Sequence, residues 1–372
     1  MRVAFQGSLG FGGLGTVTRE LSRNLARHVD VTVFDVLRSF RTGLTMKEVG
    51  NIGISKPTFL RGVPVNLPFQ AFGFRSCDLV HINYASYGLS ALISKQLAGL
   101  PFVETFHGIP QPELENGYDK LGYIAEHWAL RLTSQRASSV VSDSDYIRRE
   151  LRKRYSIRST TVYLGVDIAR FLPPSVREAT EARRRLGIRE RDQVVLYAGR
   201  LTPWKDPLTL VRAASLVIRE RKDVAFHLVG IGPLLDDIKR MARSLGIQDK
   251  VFVVTDADYF HGLTDYYKAA DVFVLPTRKE GFGLVVLEAM ASGLCVIASD
   301  GGAPPELLGE AGMLFETGNY DSLAETILRV LSDDLLRQKL GAEARDRAVR
   351  TFTWDRCAQA YIRIYKEVAG LG

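Results

Sequence analysis

The sequence predicts an α/β protein made of two doubly wound domains, each with a parallel sheet. Three observations predict it. At 372 residues the chain exceeds one typical hydrophobic core. Short apolar runs rich in β-branched residues alternate with helical patterns, in two successive series. Between the series, residues 164–192 combine Pro173, Pro174 and many charges, which reads as a connection. The domains are therefore set at 1–165 and 190–350.

The first series opens with a strand at 2–6, a glycine loop and a helical pattern over 16–27. Strands follow at 31–35, 79–82, 102–105, 139–141 and 160–163, with helical segments between them. Residues 38–75 resist assignment because Gly and Pro interrupt every pattern. The second series has strands at 194–198, 225–229, 251–254, 272–275 and 295–298, with helices such as 207–220 and 234–245 between them. Helical patterns at 322–332, 334–350 and 354–368 close the chain.

Composition bounds the class. Hydrophobic content of 46% and charged content of 24% are those of a soluble globular protein. No apolar run approaches a membrane span, and the first seven residues are too short and polar for a signal peptide. Cys77, Cys295 and Cys357 are scattered, without a CxxC or a neighbouring His cluster, so neither zinc nor a disulfide framework is expected. A reducing cytoplasm is the expected location. The net charge of +7 lies wholly in residues 1–163, which hold 20 Lys+Arg against 13 Asp+Glu. That half either meets something anionic, such as a membrane surface, or carries a solvated basic face. No nucleic-acid partner is expected.

The chemistry concentrates where strands end. The strand at 272–275 stops at Pro276, a polar loop carries Glu280, and Gly281, Phe282 and Gly283 lead into an apolar helix holding Glu288. Open α/β sheets bind ligands at this edge, and helix-start amides attract phosphate. Carboxylates beside them suit hydroxyl groups, so a nucleotide diphosphate sugar fits both ends. Glu at a helix start is also a common capping arrangement, so the segment alone does not decide. After the strand at 194–198 come Gly199, Arg200, Lys205, Asp206 and Pro207, Pro being favoured at a first helical position. Arg can grip phosphate oxygens through two parallel hydrogen bonds and Lys supplies a mobile point charge.

Gly10, Gly12 and Gly15 satisfy GxGxxG between a strand and a helix, and Asp35 ends the next strand. That keeps an NAD-dependent enzyme open, although Gly7, Ser8 and Leu9 make the loop longer than a dinucleotide turn. The longer loop suits a flexible glycine flap approaching a ligand.

Together GGLG at 12–15, TFHG at 105–108, GRLTPWKD at 199–206, E-GFGLVVL-E at 280–288 and SDGGAPPEL at 299–307 resemble the large family of retaining glycosyltransferases often called family 4. The resemblance covers nearly the whole chain in order. It implies the GT-B fold, two Rossmann-like domains facing across a cleft, with the helix at 354–368 crossing back onto the first. It implies a donor domain at 190–350, an acceptor side at 1–165, and transfer of a sugar from a nucleotide diphosphate sugar to an acceptor hydroxyl of a glycan, lipid or small molecule. Arg200 and Lys205 would hold the diphosphate. Glu288 would accept from the ribose hydroxyls. Glu280, with backbone amides of Gly281, Phe282, Gly283 and Leu284, would position the sugar and its distal phosphate. Gly12 and Gly13 would close over the diphosphate, and His107 would face the sugar. His81, His127 and His261 lack this context.

The segment VVTDADYFHG at 253–262 departs from the family pattern near the expected base site. Asp256 and Asp258 form a DxD, a metal signature of the other major glycosyltransferase fold, and read here as loop. No metal and no cofactor beyond the donor substrate are expected. Asp143 and Asp145 are expected to cap a helix beginning near 146. That helix, over 145–158, is basic and amphipathic; its apolar face packs either into the core or onto an anionic membrane. A nucleotide-sugar epimerase and a non-catalytic sugar-binding protein remain as alternatives.

Overall fold

In the computed structural model, residues 1–10, 12–35, 45, 71–83, 88–109, 118–256 and 262–371 are described. The span that resists assignment in the sequence lies largely outside them, as do Asp258 and His261. The chain divides into two compact units, Met1–Gly165 with Trp354–Gly372, and Val166–Thr353.

The first unit contains β1 (Arg2–Gly7), α1 (Gly13–Leu25), β2 (Asp30–Asp35), β3 (Leu79–Ile82), α2 (Gly88–Ala98), β4 (Phe102–Phe106), α3 (Tyr118–Ser134), β5 (Ser139–Ser142), α4 (Asp145–Tyr155) and β6 (Thr160–Thr161). Its six strands pair in parallel in the order β2-β1-β3-β4-β5-β6. Strand order reverses between β1 and β3. Parallel strands buried on both faces read as continuous apolar runs, which is why the sequence shows them. Ala4, Val80, Ile82 and Phe102 meet Phe34, Phe74 and Ala91 in one core cluster. A second cluster gathers Phe106, Leu130 and Val140 with Ile147, Leu151 and Tyr155 of α4. The apolar face of the basic helix is thus core, and cannot lie on a membrane.

The second unit contains α5 (Val176–Arg185), β7 (Gln193–Ala198), α6 (Pro207–Glu220), β8 (Val224–Val229), α7 (Leu235–Ser244), β9 (Val251–Val254), α8 (Leu263–Ala269), β10 (Val272–Leu275), α9 (Leu284–Ala291), β11 (Cys295–Ser299), α10 (Pro304–Leu308), β12 (Met313–Phe315), α11 (Tyr320–Ser332) and α12 (Asp334–Thr351). All pairs are parallel, in the order β12-β11-β10-β7-β8-β9. Here the reversal falls between β7 and β10.

The last helix, α13 (Trp354–Val368), belongs to the first unit and packs on α1 and β4. Its attachment is polar as well as apolar. The Tyr365 hydroxyl lies 2.5 Å from Nδ1 of His81, and Tyr361 lies 2.9 Å from Thr105 Oγ1, which also meets His81 Nε2 at 2.8 Å. Burial, with the nearby His107, pushes His81 down to about 3, so it stays a neutral partner for these hydroxyls.

Several expectations are corrected. The connection holds a helix, α5, and the second unit begins at Val166 rather than 190. A capping box starts α5: Ser175 accepts from the Glu178 amide, and Glu178 accepts in return from the Ser175 amide. Its single buried residue is Ala182, so no apolar stripe marks it in the sequence. The strand expected at 160–163 pairs only over Thr160–Thr161, and β12 is an additional strand. Helix α1 starts at Gly13, so the glycine loop is shorter than expected.

Candidate active site

In the second unit the loops that follow the neighbouring strands β7 and β10 meet at the carboxyl edge of the sheet, where strand order reverses. Open α/β sheets place ligands at that position. The two loops are joined by the chain itself. The Trp204 carbonyl accepts from the Arg278 amide at 2.8 Å and from Thr277 Oγ1 at 2.9 Å. Asp206 starts α6 in a left-handed conformation, with Pro207 next, and its carboxylate pairs with Arg278 at 2.9 Å. This brings Lys205 against Glu280 as a close ion pair, with side chains 15% and 12% exposed. Arg200 is exposed, and its guanidinium lies 5.0 Å over the Trp204 ring. The buried Tyr197 hydroxyl donates to the Arg200 carbonyl at 2.7 Å. Burial first, and then the Glu280 and Asp206 carboxylates, push that hydroxyl well up, so it remains a donor.

The Glu280 loop is braced from its other side. The Glu280 amide donates to Gly301 at 3.3 Å and the Ala303 amide donates to Glu280 at 2.9 Å. Gly302 has φ +100, and a Cβ there would lie 2.3 Å from the Glu280 carbonyl oxygen, so this close approach needs glycine. Gly283, at φ 105, turns the chain into α9, and Leu284 opens the helix. Glu288 is one turn inside α9 and only 3% exposed; the Tyr267 hydroxyl of α8 donates to it at 2.9 Å. The structure therefore gathers Arg200, Lys205 and Glu280 at one edge and puts Glu288 in a buried position behind them on α9.

Sequence reading missed the parts that hold these residues. Gly230 and Gly232, a G-x-G-P turn after β8, let that loop lie on the Arg200 loop. A Cβ at Gly230 would be 1.8 Å from the Gly199 carbonyl oxygen, and one at Gly232 2.3 Å from that of Leu201. The signal was present as two glycines directly after a buried strand. Trp204 and Arg278 carried no signal beyond their place in the loops.

In the first unit the glycine loop is packed rather than free. A Cβ at Gly15 would lie 1.8 Å from the Gly10 carbonyl oxygen. Arg19 donates to the Leu9 carbonyl at 2.8 Å, and the Leu9 amide to Asp35 at 3.4 Å. Asp35, at the end of β2, is 1% exposed and accepts from the glycine loop, which is not how an acid reads a ribose in a dinucleotide fold. Gly12 caps α1 at φ 92, and Gly13 is the first helical residue.

His107 follows β4. Its Nδ1 lies 2.5 Å from Asp143 Oδ2 and its Nε2 2.8 Å from Asn83 Oδ1. Asp143 is therefore not a helix cap. Ser144 takes that place, accepting from the Ile147 amide at 3.1 Å, and Asp145 lies in the first turn. Burial pushes the Asp143 carboxyl up, against the opposing pull of His107. His81 is an anchor for α13, and His127 meets Tyr155 at 3.0 Å. Among the described residues no group of three or more His, Cys, Asp or Glu could hold a metal ion.

Known proteins agree with this architecture. A family model described as glycosyl transferases group 1 matches residues 178–347, and one described as glycosyltransferase family 4 matches residues 11–170. A D-inositol 3-phosphate glycosyltransferase of Salinispora arenicola is 32% identical over 320 residues, covering 79% of this chain and 70% of the relative. Its namesake in Corynebacterium diphtheriae is 28% identical over 98% of this chain and 92% of its own. Among solved structures, a sucrose-phosphate synthase from Thermosynechococcus elongatus superposes with a TM-score of 0.81 at 23% identity, over 100% of both chains. Anabaena HepE, solved with UDP and glucose, gives 0.80 at 21% identity, over 98% and 99%. These two likenesses speak for the GT-B fold.

Proposed function

The chain belongs to the group 1 glycosyltransferases, enzymes that move a sugar from a nucleotide sugar to an acceptor, and we propose that it does so with retained anomeric configuration. One observation carries the assignment of roles: the loops after β7 and β10 set Lys205 against Glu280 beside Arg200 at the sheet's reversal. As the glycosidic bond breaks, negative charge grows on the diphosphate. Arg200 and Lys205 stabilise it there, which is where charge must be met for catalysis. Lys205 exchanges its bond to Glu280 for one to phosphate, and the released carboxylate takes a sugar hydroxyl. The helix-start amides from Gly281 to Leu284 meet the distal phosphate, and Glu288 takes the ribose hydroxyls. For the first unit, Gly12, Gly13 and His107 are proposed as its ligand-contacting residues.

The donor is proposed to be a UDP-sugar, a reading supported by the UDP complexes of Anabaena HepE. Two cations do the work a divalent ion does elsewhere, so transfer needs no metal. The test is release of nucleoside diphosphate from UDP-, GDP- and ADP-sugars in EDTA, with D-inositol 3-phosphate among the acceptors and product configuration read by NMR. Release from none of these donors, with or without a divalent ion, sinks the reading. Sugar inversion without acceptor gives the epimerase instead, and activity restored only by Mg²⁺ or Mn²⁺ revives Asp256 and Asp258.

Peripheral contact with an anionic membrane is proposed as a second, separate property of a cytoplasmic enzyme. Among the described residues no helix is long and apolar enough to cross a membrane. What favours surface contact is a stripe on α3, where Ile124, Trp128 and Leu132 are 44%, 70% and 46% exposed. The cations Arg148, Arg149, Arg152 and Lys153 of α4 are exposed in the same unit. Binding to anionic but not zwitterionic vesicles, weakened by Trp128→Ala, is expected; equal indifference to both at low salt ends the idea.

A further inference from the structure

His107 ends a chain of buried hydrogen bonds drawn from four elements, and the direction of that chain can be read. The single Thr18 hydroxyl hydrogen is given to the Leu14 carbonyl at 2.9 Å. Its oxygen can then only accept, which fixes the NH₂ end of Asn83 towards it at 3.1 Å. Asn83 Oδ1 is left facing His107 Nε2 at 2.8 Å. An amide oxygen only accepts, so the hydrogen must be on Nε2. At the other nitrogen, Asp143 Oδ2 lies 2.5 Å away, and a proton sits between the two whichever atom holds it. Thr18, Asn83 and Asp143 are 0%, 1% and 1% exposed, so water does not replace any of these partners. Gly7 is part of the arrangement: a Cβ there would come within 2.6 Å of Thr18 Oγ1.

We infer that His107 carries a hydrogen on Nε2 throughout the neutral range, acting as a fixed hydrogen-bond donor and not as a base, with Thr18 and Asn83 as its positioning residues. The titratable groups facing the pair do not interfere. His81 on β3 is pushed down to about 3 by burial, and Cys357 and Tyr361 on α13 are pushed well up, again chiefly by burial. All three are neutral near pH 7. The Asp143–His107 pair is thus the one place among these groups where a charge can reside.

The chemical consequence rests on the sugar-transfer reading; the protonation does not. With Nε2 a donor, His107 has no lone pair there to take the acceptor hydroxyl's proton. The Nε2 hydrogen stays given to Asn83 Oδ1, which holds the ring in one orientation. Deprotonation of the acceptor belongs to another group.

The test is ¹H–¹⁵N correlation of histidine ring nitrogens in the full-length protein from about pH 6 to 8.5, the range that brackets an ordinary histidine. His107→Gln assigns the signals. The expected result is a protonated Nε2 at every pH. A bare Nε2 at any point in that range overturns the inference. For the positioning residues, Thr18→Val should lower kcat at least about tenfold with donor KM unchanged, since small misplacements at a site cost that much or more. Thr18→Ser, which keeps the hydroxyl, should restore it. Equal kcat in both variants removes Thr18 from the chain. Should Thr18→Val fail to fold, the ring-nitrogen measurement on the wild type and the Thr18→Ser variant still decides. Sugar transfer with a bare Nε2 defeats this inference alone, while absence of any transfer defeats the functional reading and leaves the protonation measurable.

Discussion

The carboxyl edges of the two sheets occupy equivalent places in the same fold and are built on opposite principles. In the second unit the edge is held together by formal charge: Lys205 with Glu280, Asp206 with Arg278, and Arg200 exposed over Trp204. In the first unit it is a run of buried hydrogen bonds through Thr18, Asn83, His107 and Asp143, in which one pair can carry charge. The difference concerns what a ligand can displace. An anion can take Lys205 from Glu280, because both partners keep a strong alternative. Nothing can enter the first chain without leaving a buried polar atom unpaired, which costs on the order of 1–3 kcal/mol. One edge exchanges partners with the ligand, and the other is a wall of set polarity.

If that contrast is right, the largest losses come from the charged edge. Arg200→Ala and Lys205→Ala should each lower turnover by about a hundredfold or more, the scale of removing one donor to developing negative charge. They should differ in stability. Arg200 is exposed and its loss should leave the melting temperature nearly unchanged. Lys205 is largely covered, so its removal strands Glu280 and should cost roughly 1–3 kcal/mol, below the value for a fully buried pair. Steady-state kinetics and thermal unfolding of the two variants check both halves. Near-normal turnover in either variant breaks the phosphate assignment.

The two glutamates sharpen the same comparison at smaller scale. Glu280→Gln removes the charge that Lys205 exchanges, so kcat should fall with little change in donor KM. Glu288→Gln keeps an acceptor for the Tyr267 hydroxyl and should instead weaken donor binding, by about 1.5–3 kcal/mol for a charged hydrogen bond. Donor titration calorimetry beside kinetics separates them. Equal, small effects on both would contradict the division of roles.

How much of this was legible follows from where the information sits. Strands β7, β8 and β10 are apolar runs closed by Gly or Pro, and Arg200, Lys205 and Glu280 lie in the loops after β7 and β10, so short-range spacing was enough. Helix α5 was not legible because its support is distant. Arg185 binds Asp265 and Arg183 binds Asp271, 80 and 88 residues on, and only Ala182 is buried. Asp143 was misread for a different reason. Within SDSD several residues can cap a helix, and only the end of β5 decides that Ser144 does so while Asp143 points to His107. Asn83 stood alone after β3, in a pattern that offered no periodicity to read.

The smallest expected effect on activity comes from Glu104, the acid that best isolates the character of the first unit. It lies on β4, is fully buried, receives the Thr133 hydroxyl at 2.6 Å, and has no ion-pair partner among the described residues. Burial raises its pKa from 4.5 to about 8, with Thr133 pulling weakly the other way. The sign follows from proton counts. Between about 4.5 and 8 the folded protein holds a proton that the unfolded chain has lost, so stability falls as pH rises through this window. Above about 8 both states are ionised and the loss is complete. Glu104→Gln keeps a neutral group of the same shape. The difference between wild type and variant should therefore grow in the variant's favour from pH 5 to pH 8 and then level off, with kcat unchanged. Since His81 and the exposed acids titrate alike in both proteins, the subtraction removes them. A difference in melting temperature that stays flat across that range would mean Glu104 is ionised in the fold, and the first unit would then tolerate buried charge as the second does.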